Sequence, residues 1–444
     1  MARPLDEEAA RAAVKAAFGA VTADDVRVNI DASETGFLRY AVNEVTTSGQ
    51  VTDVVTAVSC AVGNKHASVT IHGLRVEDVA AAARRALEQA RIAPDDPEWV
   101  ASPGAATMKP VTAGWSETAV SASDRAALVA DSIGEAKKQG LTTYGFIQSQ
   151  RTSQVSATRA GFFGMHHGTS VSLTTTARTP DGAGSGWASA AGIALAELDA
   201  LGATRIACDK ALRTRGAKAL EPGVYPVVLE PAAVAAMLNF IGLDMRAADE
   251  GHSAFTKPGG GTRLGEKLFG SLTLKSDPWA PLEPSAPFDH EGMPRPPVTW
   301  VENGVLKKLR TSRYWAKKTK RSADARYDRM LPTGPTAESM ESLIGGLDRG
   351  LLVTRLFYLR MLEPQSITVT GLTRDGVFLV EKGKIVGPVN NFRFNQSVLQ
   401  MCADADGYGA PVRVSSGEGE GGPPDVALAL RCKAFHMASK SDAV

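Results

Sequence analysis

Val298-Thr299-Trp300-Val301-Glu302-Asn303-Gly304-Val305-Leu306 reads as a β-hairpin. β-Branched and aromatic residues flank an Asn-Gly pair, which suits a type I′ turn because both central residues need positive φ. Residues 377–385, Val-Phe-Leu-Val-Glu-Lys-Gly-Lys-Ile, repeat the Glu-x-Gly pattern between β-formers. Around these two hairpins the C-terminal half reads as mostly β. Strands are expected at 224–230, 351–362, 366–370 and 425–436. Helices are expected at 231–243, opened by Pro231, and at 337–349. Residues 417–424 read as a flexible Gly/Pro loop.

Upstream the pattern alternates. An Ala-rich segment at 7–18 reads as a helix. Period-two stretches at 26–30, 37–46, 52–62 and 67–71 read as antiparallel strands. A helix at 76–92 places Val76, Val79, Ala83, Leu87 and Ala90 on one face. Four prolines make 93–118 a loop. A third helix runs from an N-cap near Ser123 to about 139. Strands follow at 143–158 and 169–177, then a Gly/Ser turn at 182–186. A helix at 203–215 turns Ile206, Ala207, Cys208, Ala211 and Leu212 inward. The expected class is α+β with two domains. In residues 1–216 helices pack on a mainly antiparallel sheet, and 217–444 is predominantly antiparallel β, sheet- or barrel-like, with a few helices.

A chain of 444 residues is ample for large cores without metal or disulfide staples. Lys plus Arg is 49 and Asp plus Glu 48, which excludes a globally basic nucleic-acid wrapper. Cys60, Cys208, Cys402 and Cys432 are scattered with no CxxC, as expected in a reducing compartment. The charged first twenty residues do not resemble a secretory signal. No 18-residue apolar run is present, so a cytoplasmic, non-membrane protein is expected.

No His pair forms HExxH or HExxxH. His290-Glu291 is followed by Gly292, Pro294, Pro296 and Pro297, which forbid a helix. His166 and His167 point to opposite faces of a strand, and Cys208 reads as core. No GxSxG or phosphate loop is present; Gly259-Gly260-Gly261 reads as a mobile loop, and Gly345-Gly346 with Gly350 as a helix end. Asp289, His290 and Glu291 form a candidate functional loop, either for acid–base work or, as the blander reading, to close a turn. Residues 307–329 carry ten basic side chains against Asp324 and Asp328. Lys307, Lys308, Arg310, Arg313, Lys317, Lys318, Lys320 and Arg321 make a candidate partner-binding loop for nucleic acid or an acidic protein. The plain alternative is a solvated surface loop.

The C-terminal half resembles the TldD/PmbA family. Asp289-His290-Glu291-Gly292 followed by residues 301–306, Val-Glu-Asn-Gly-Val-Leu, is similar to its "D-x-E-G … I-E-N-G-x-L" signature. Ser253-Ala254-Phe255 with residues 264–267, Leu-Gly-Glu-Lys, resembles "S-F … L-G-E-K". The runs at 339–344 and 349–354 and the segment at 383–389 fit the same order, as do residues 39–45 upstream.

This resemblance implies a two-domain protein that pairs as a dimer. TldD-type members carry an HExxxH helix and a downstream Cys, and act as zinc peptidases on unfolded or modified peptides. The PmbA (TldE) type lacks the zinc helix and partners a TldD-type chain. Here the corresponding helix, 231–243, has no His or Glu, and the neighbours of Cys402 do not match. The resemblance therefore implies no zinc and no catalytic residue in this chain, with zinc only in an HExxxH-bearing partner. Three readings stay open. One is a non-catalytic subunit of a hetero- or homodimer. Another is an independent hydrolase with a non-standard metal or carboxylate site. The third is a binding protein acting through 307–329.

Overall fold

A computed structural model describes residues 3–327, 329–415 and 424–441. The stretch 417–424 read as a flexible loop lies, except for Pro424, outside the described residues, as does Asp328. The elements are α1 (Glu7–Ala20), β1 (Asp25–Ala41), β2 (Glu44–Val62), β3 (Lys65–His72), α2 (Val76–Ile92), α3 (Ala122–Lys138), β4 (Thr142–Thr158), β5 (Phe163–Arg178), β6 (Ser185–Gly192) and α4 (Ala200–Arg213). There follow β7 (Gly223–Leu229), α5 (Pro231–Leu238), α6 (Met245–Asp249), β8 (Thr273–Ser276), β9 (Val298–Glu302), β10 (Val305–Leu306), α7 (Arg313–Thr319), β11 (Leu331–Thr333), α8 (Met340–Gly345), β12 (Arg349–Val353) and β13 (Leu356–Glu363). The chain closes with β14 (Thr368–Thr373), β15 (Val377–Glu381), β16 (Lys384–Pro388), β17 (Asn391–Ser397), α9 (Val398–Ala403), β18 (Ala405–Tyr408), β19 (Val412–Val414), β20 (Asp425–Ala427) and β21 (Leu430–Ser441).

The class is α+β. β1 to β6 form one antiparallel sheet in the order β3-β2-β1-β4-β5-β6. Its strands are long, and successive side chains alternate between faces. All four large helices lie on one face. Val26, Val28 and Ile30 of β1 meet α1 and α2 in one core; Leu38 and Tyr40, on the same face further along, meet α3 and α4 in another. The opposite face carries Asp31 and Gln154, directly opposed across β1 and β4, and looks toward the C-terminal half.

The C-terminal half is built on a nine-stranded sheet, mostly antiparallel, with one parallel pair, β7 and β12. Its path runs from β13 to β16 without those strands pairing, so it is open rather than a closed barrel. Val227 and Leu229 of β7 and Met237 of α5 lie in its large core with Phe255, Trp300, Phe392 and Phe435. Both hairpins fall where the sequence places them. Asn303 and Gly304 take φ of 49° and 82°, and Lys382 and Gly383 take 50° and 71°. A Cβ on Gly304 would lie 2.0 Å from the Gly270 carbonyl oxygen, so this turn needs glycine for space as well as for φ.

Several expected spans differ. The strand read at 37–46 contains a hairpin turn at Val42-Asn43, both left-handed at 54° and 61°. Asn43 holds it there: its Nδ2 donates to the Leu141 carbonyl, and its Oδ1 accepts from the Thr143 N–H and hydroxyl. The helix read at 231–243 ends at Leu238, after which Phe240 and Ile241 donate to carbonyls three residues back. The helix read at 337–349 is only Met340–Gly345, capped by the Ser339 side chain and ended at the glycine pair. The strand read at 351–362 breaks at Thr354-Arg355, whose side chains bind Asp375 and Gly376. The strand read at 425–436 divides into β20 and β21, and β6 occupies part of the expected Gly/Ser turn. On α4, Ala207, Cys208 and Ala211 are buried, but Ile206 and Leu212 are exposed, because a 100° step carries them to the outer face. Among the described residues, no helix is long and apolar enough to cross a membrane.

Candidate functional site: an arginine-lined chamber beside α5

Pro231 opens α5 at its first turn, where the missing N–H costs nothing. Every residue from Ala232 to Leu238 is buried, and none can ligate through His, Cys or carboxylate. The C-terminal end of this helix borders a cavity of about 660 Å³ between the outer face of the N-terminal sheet and the C-terminal half. That volume lies within the usual range for a ligand site. Ala235, Leu238 and Ile241 supply an apolar wall. Arg295, Arg310, Arg326 and Arg329 supply guanidiniums, and Asp31, Asp244, Glu283 and Asp425 carboxylates.

The loop at 289–291 helps wall this chamber. Asp289 is 3% exposed. Its Oδ1 accepts from the Glu291 N–H at 2.9 Å and the Met293 N–H at 3.0 Å, and its Oδ2 accepts from the Arg326 N–H at 2.8 Å. That engagement favours the turn-closing role over acid–base work, since the lone pairs are committed to backbone donors. His290 leaves the loop and places Nε2 3.2 Å from Asp31 Oδ2 and 3.1 Å from the Gln154 amide nitrogen. Glu291 pairs with Arg313 at 3.1 Å. The three residues thus share a loop but not a common reaction centre.

The hydrogen bond that His290 donates to the Asp31 carboxylate holds its pKa above the ordinary value, against a smaller lowering by burial. A raised folded pKa contributes stability that is complete below the ordinary histidine pKa and is lost as pH rises through the folded value. The pair is half exposed, so screening keeps the effect to about 0.5 kcal/mol. Thermal melts from pH 5 to 9 should show wild type losing this increment on the alkaline side and His290→Gln lacking it; identical profiles would remove the assignment.

The basic stretch is part helix and part surface loop, with Lys307, Lys318 and Arg321 among its exposed residues. Arg313–Thr319 is a helix, α7, capped by Ser312 and pinned by Trp315, which is 6% exposed and donates to Asp249 at 2.7 Å. Lys307 pairs with Glu302 at 3.3 Å, Lys308 with Asp324 at 2.5 Å, Arg313 with Glu291, and Arg321 with Asp249. Arg310 faces the chamber, and Lys318 lies over the Trp315 ring at 4.8 Å. Lys317 and Lys320 are exposed. These pairs offset four of the ten positive charges that a phosphate backbone would otherwise meet. Sequence reasoning missed Asp31, Gln154, Asn239, Asp244, Glu283 and Arg295, which no local motif marks. Arg326 and Arg329 were visible only as part of the charge run.

The donor set does not fit zinc. Among the described residues, no three His, Cys, Asp or Glu side chains gather as a metal site. Cys402 is fully buried in α9, where burial pushes its thiol well above the ordinary range, and Cys432 is pushed up to about 12 by the same cause. Zinc binds thiolate, so these buried thiols are poor ligands.

Residues 222–430 match the family model described as the PmbA/TldA metallopeptidase C-terminal domain. No curated protein matches the chain at the sequence level. The fold is similar to TldE from Thermococcus kodakarensis, with a TM-score of 0.80 and 17% identity over 97% of this chain and 100% of that one. A proposed modulator of DNA gyrase from Thermotoga maritima gives 0.80 and 17%, covering 97% and 99%. A similarly described protein from Bacteroides thetaiotaomicron gives 0.75 and 18%, covering 97% and 98%. At such identities these likenesses speak for the fold alone, and residues 222–430 form a domain of the PmbA/TldA metallopeptidase C-terminal type.

Proposed function

We propose that this chain is a non-catalytic, PmbA/TldE-type subunit. It pairs with an HExxxH-bearing TldD-type chain and helps hold an unfolded or modified peptide for cleavage there. The observation that carries the reading is α5, whose side chains are wholly apolar beside an arginine-lined chamber. Zinc makes its bound water nucleophilic near neutral pH; with no ligand set for the metal among the described residues, that chemistry is assigned to the partner. What this chain's residues do is bind. Guanidiniums at the chamber wall attract peptide carboxylates and carbonyls, and the α5 wall accepts an apolar side chain. The likeness to TldE in fold agrees with this role. We place the protein in the cytoplasm and the domain boundary near 216–217 on the same footing.

The test is to purify the chain alone and with an HExxxH-bearing paralogue. Alone it should carry no stoichiometric zinc and cleave no peptide; together the two should co-elute, and peptide turnover should rise at least about tenfold. Peptidase activity in the lone chain overturns the proposal. Arg326 is exposed at the chamber. Arg326→Ala should raise KM of the paired enzyme about fivefold with kcat unchanged, the signature of lost uniform binding. An unchanged KM removes Arg326 from the peptide site.

A further inference from the structure

Away from the chamber, the helix-covered face of the N-terminal sheet holds two buried arginines short of acceptors. Arg125 of α3 is 4% exposed and Arg151 of β4 is 6% exposed. Both line a small cavity between the two apolar cores of that face. None of the three guanidinium nitrogens of Arg151 has a hydrogen-bond partner among the described residues, and neither does Nε of Arg125 or the buried indole N–H of Trp115. Arg151 lies against the Trp115 ring, 4.7 Å from its centroid. Arg125 commits Nη1 to the Val120 carbonyl at 2.9 Å and the Ser149 hydroxyl at 3.0 Å. It fits only because Gly36 lacks a side chain: a Cβ there would stand 2.3 Å from Nη1.

The nearest carboxylate by register is Glu34, opposite Arg151 on β1 and also lining the cavity. Its Oε1 accepts from the Gln50 amide at 2.5 Å instead. Donors therefore exceed acceptors at this point, and the surplus is positively charged. Buried polar groups in folded proteins are nearly always paired, and buried charges are compensated. Water would satisfy the donors but not the charge.

We infer that this cavity is a binding site for one small monovalent anion, held between the guanidiniums of Arg125 and Arg151. Its volume is about 30 Å³, which suits a single halide or one carboxylate group. Bound there, the anion joins α3 to β4 and bridges the gap between the two cores.

The experiment uses the full chain in chloride-free methanesulfonate buffer. Added chloride should raise Tm saturably by about 2–4 °C, whereas more methanesulfonate at equal ionic strength should not. A crystal soaked in bromide should show an anomalous peak between Arg125 and Arg151. Arg151→Met should abolish the saturable rise. A response to formate with none to chloride keeps the site and assigns it to a carboxylate group. A Tm that follows ionic strength alone, an unchanged response in Arg151→Met, or the lack of a bromide peak at these residues together with no saturable response to formate overturns the inference. If that variant does not fold, the wild-type bromide soak decides.

Discussion

Replacing Asp289 with alanine should lower the unfolding free energy by roughly 3–5 kcal/mol, because three backbone N–H groups lose a charged acceptor in a buried turn. The acceptors lie at 2.8 to 3.0 Å from their donors. Two of the donors close the turn at Glu291 and Met293, and the third anchors the backbone of Arg326. Loss of this carboxylate therefore also frees one wall of the chamber. Partner-dependent peptide turnover should fall with stability, while Asp289→Asn, which keeps one acceptor oxygen, should cost about half as much. Urea denaturation reads the first effect and the paired assay the second. A cost under about 1 kcal/mol would show that the turn is held by other means.

Asp375→Ala should be comparably severe, about 3–5 kcal/mol, for a different reason. Asp375 Oδ1 accepts from the Ser185 hydroxyl at 2.6 Å, and Oδ2 accepts from Arg355 Nη1 at 2.8 Å. The side chains of Arg355 and Asp375 are 9% and 1% exposed. Ser185 begins β6, and Arg355 also lies over the ring of Trp187, so this group ties the N-terminal sheet to the C-terminal half. Removing the carboxylate leaves the arginine buried beside an apolar ring. The double change Asp375→Asn with Arg355→Met should recover part of the loss, since no uncompensated charge then remains. Asparagine is the right replacement because this residue has φ of 56°. If the double variant is less stable than Asp375→Ala, buried charge is not the source of the cost.

Local chemistry made much of the fold legible. Val76–Ile92 appears where its apolar face predicts it, and both Glu-x-Gly hairpins turn where their glycines allow positive φ. Sequence reading failed where a distant contact decides a local conformation. Val42 is a β-branched residue forced left-handed, a state its own preferences oppose. Asn43 holds that turn through Leu141 and Thr143, about a hundred residues away. Thr354-Arg355 breaks a promising strand because Asp375 captures both side chains.

The candidate site divides along the same line. Composition and motif order determined the class, the family resemblance and the lack of His or Glu in α5, because those depend on residue identity and spacing along the chain. Only the tertiary structure decided that Asp289 serves backbone donors, that Lys307, Lys308, Arg313 and Arg321 of the basic stretch pair with carboxylates, and that Arg295, Arg310, Arg326 and Arg329 surround one cavity. It also brought Arg125 and Arg151 together in a place without enough acceptors. Charge and hydrogen bonding act across a few ångströms of space, and sequence separation carries no record of which groups will come that close.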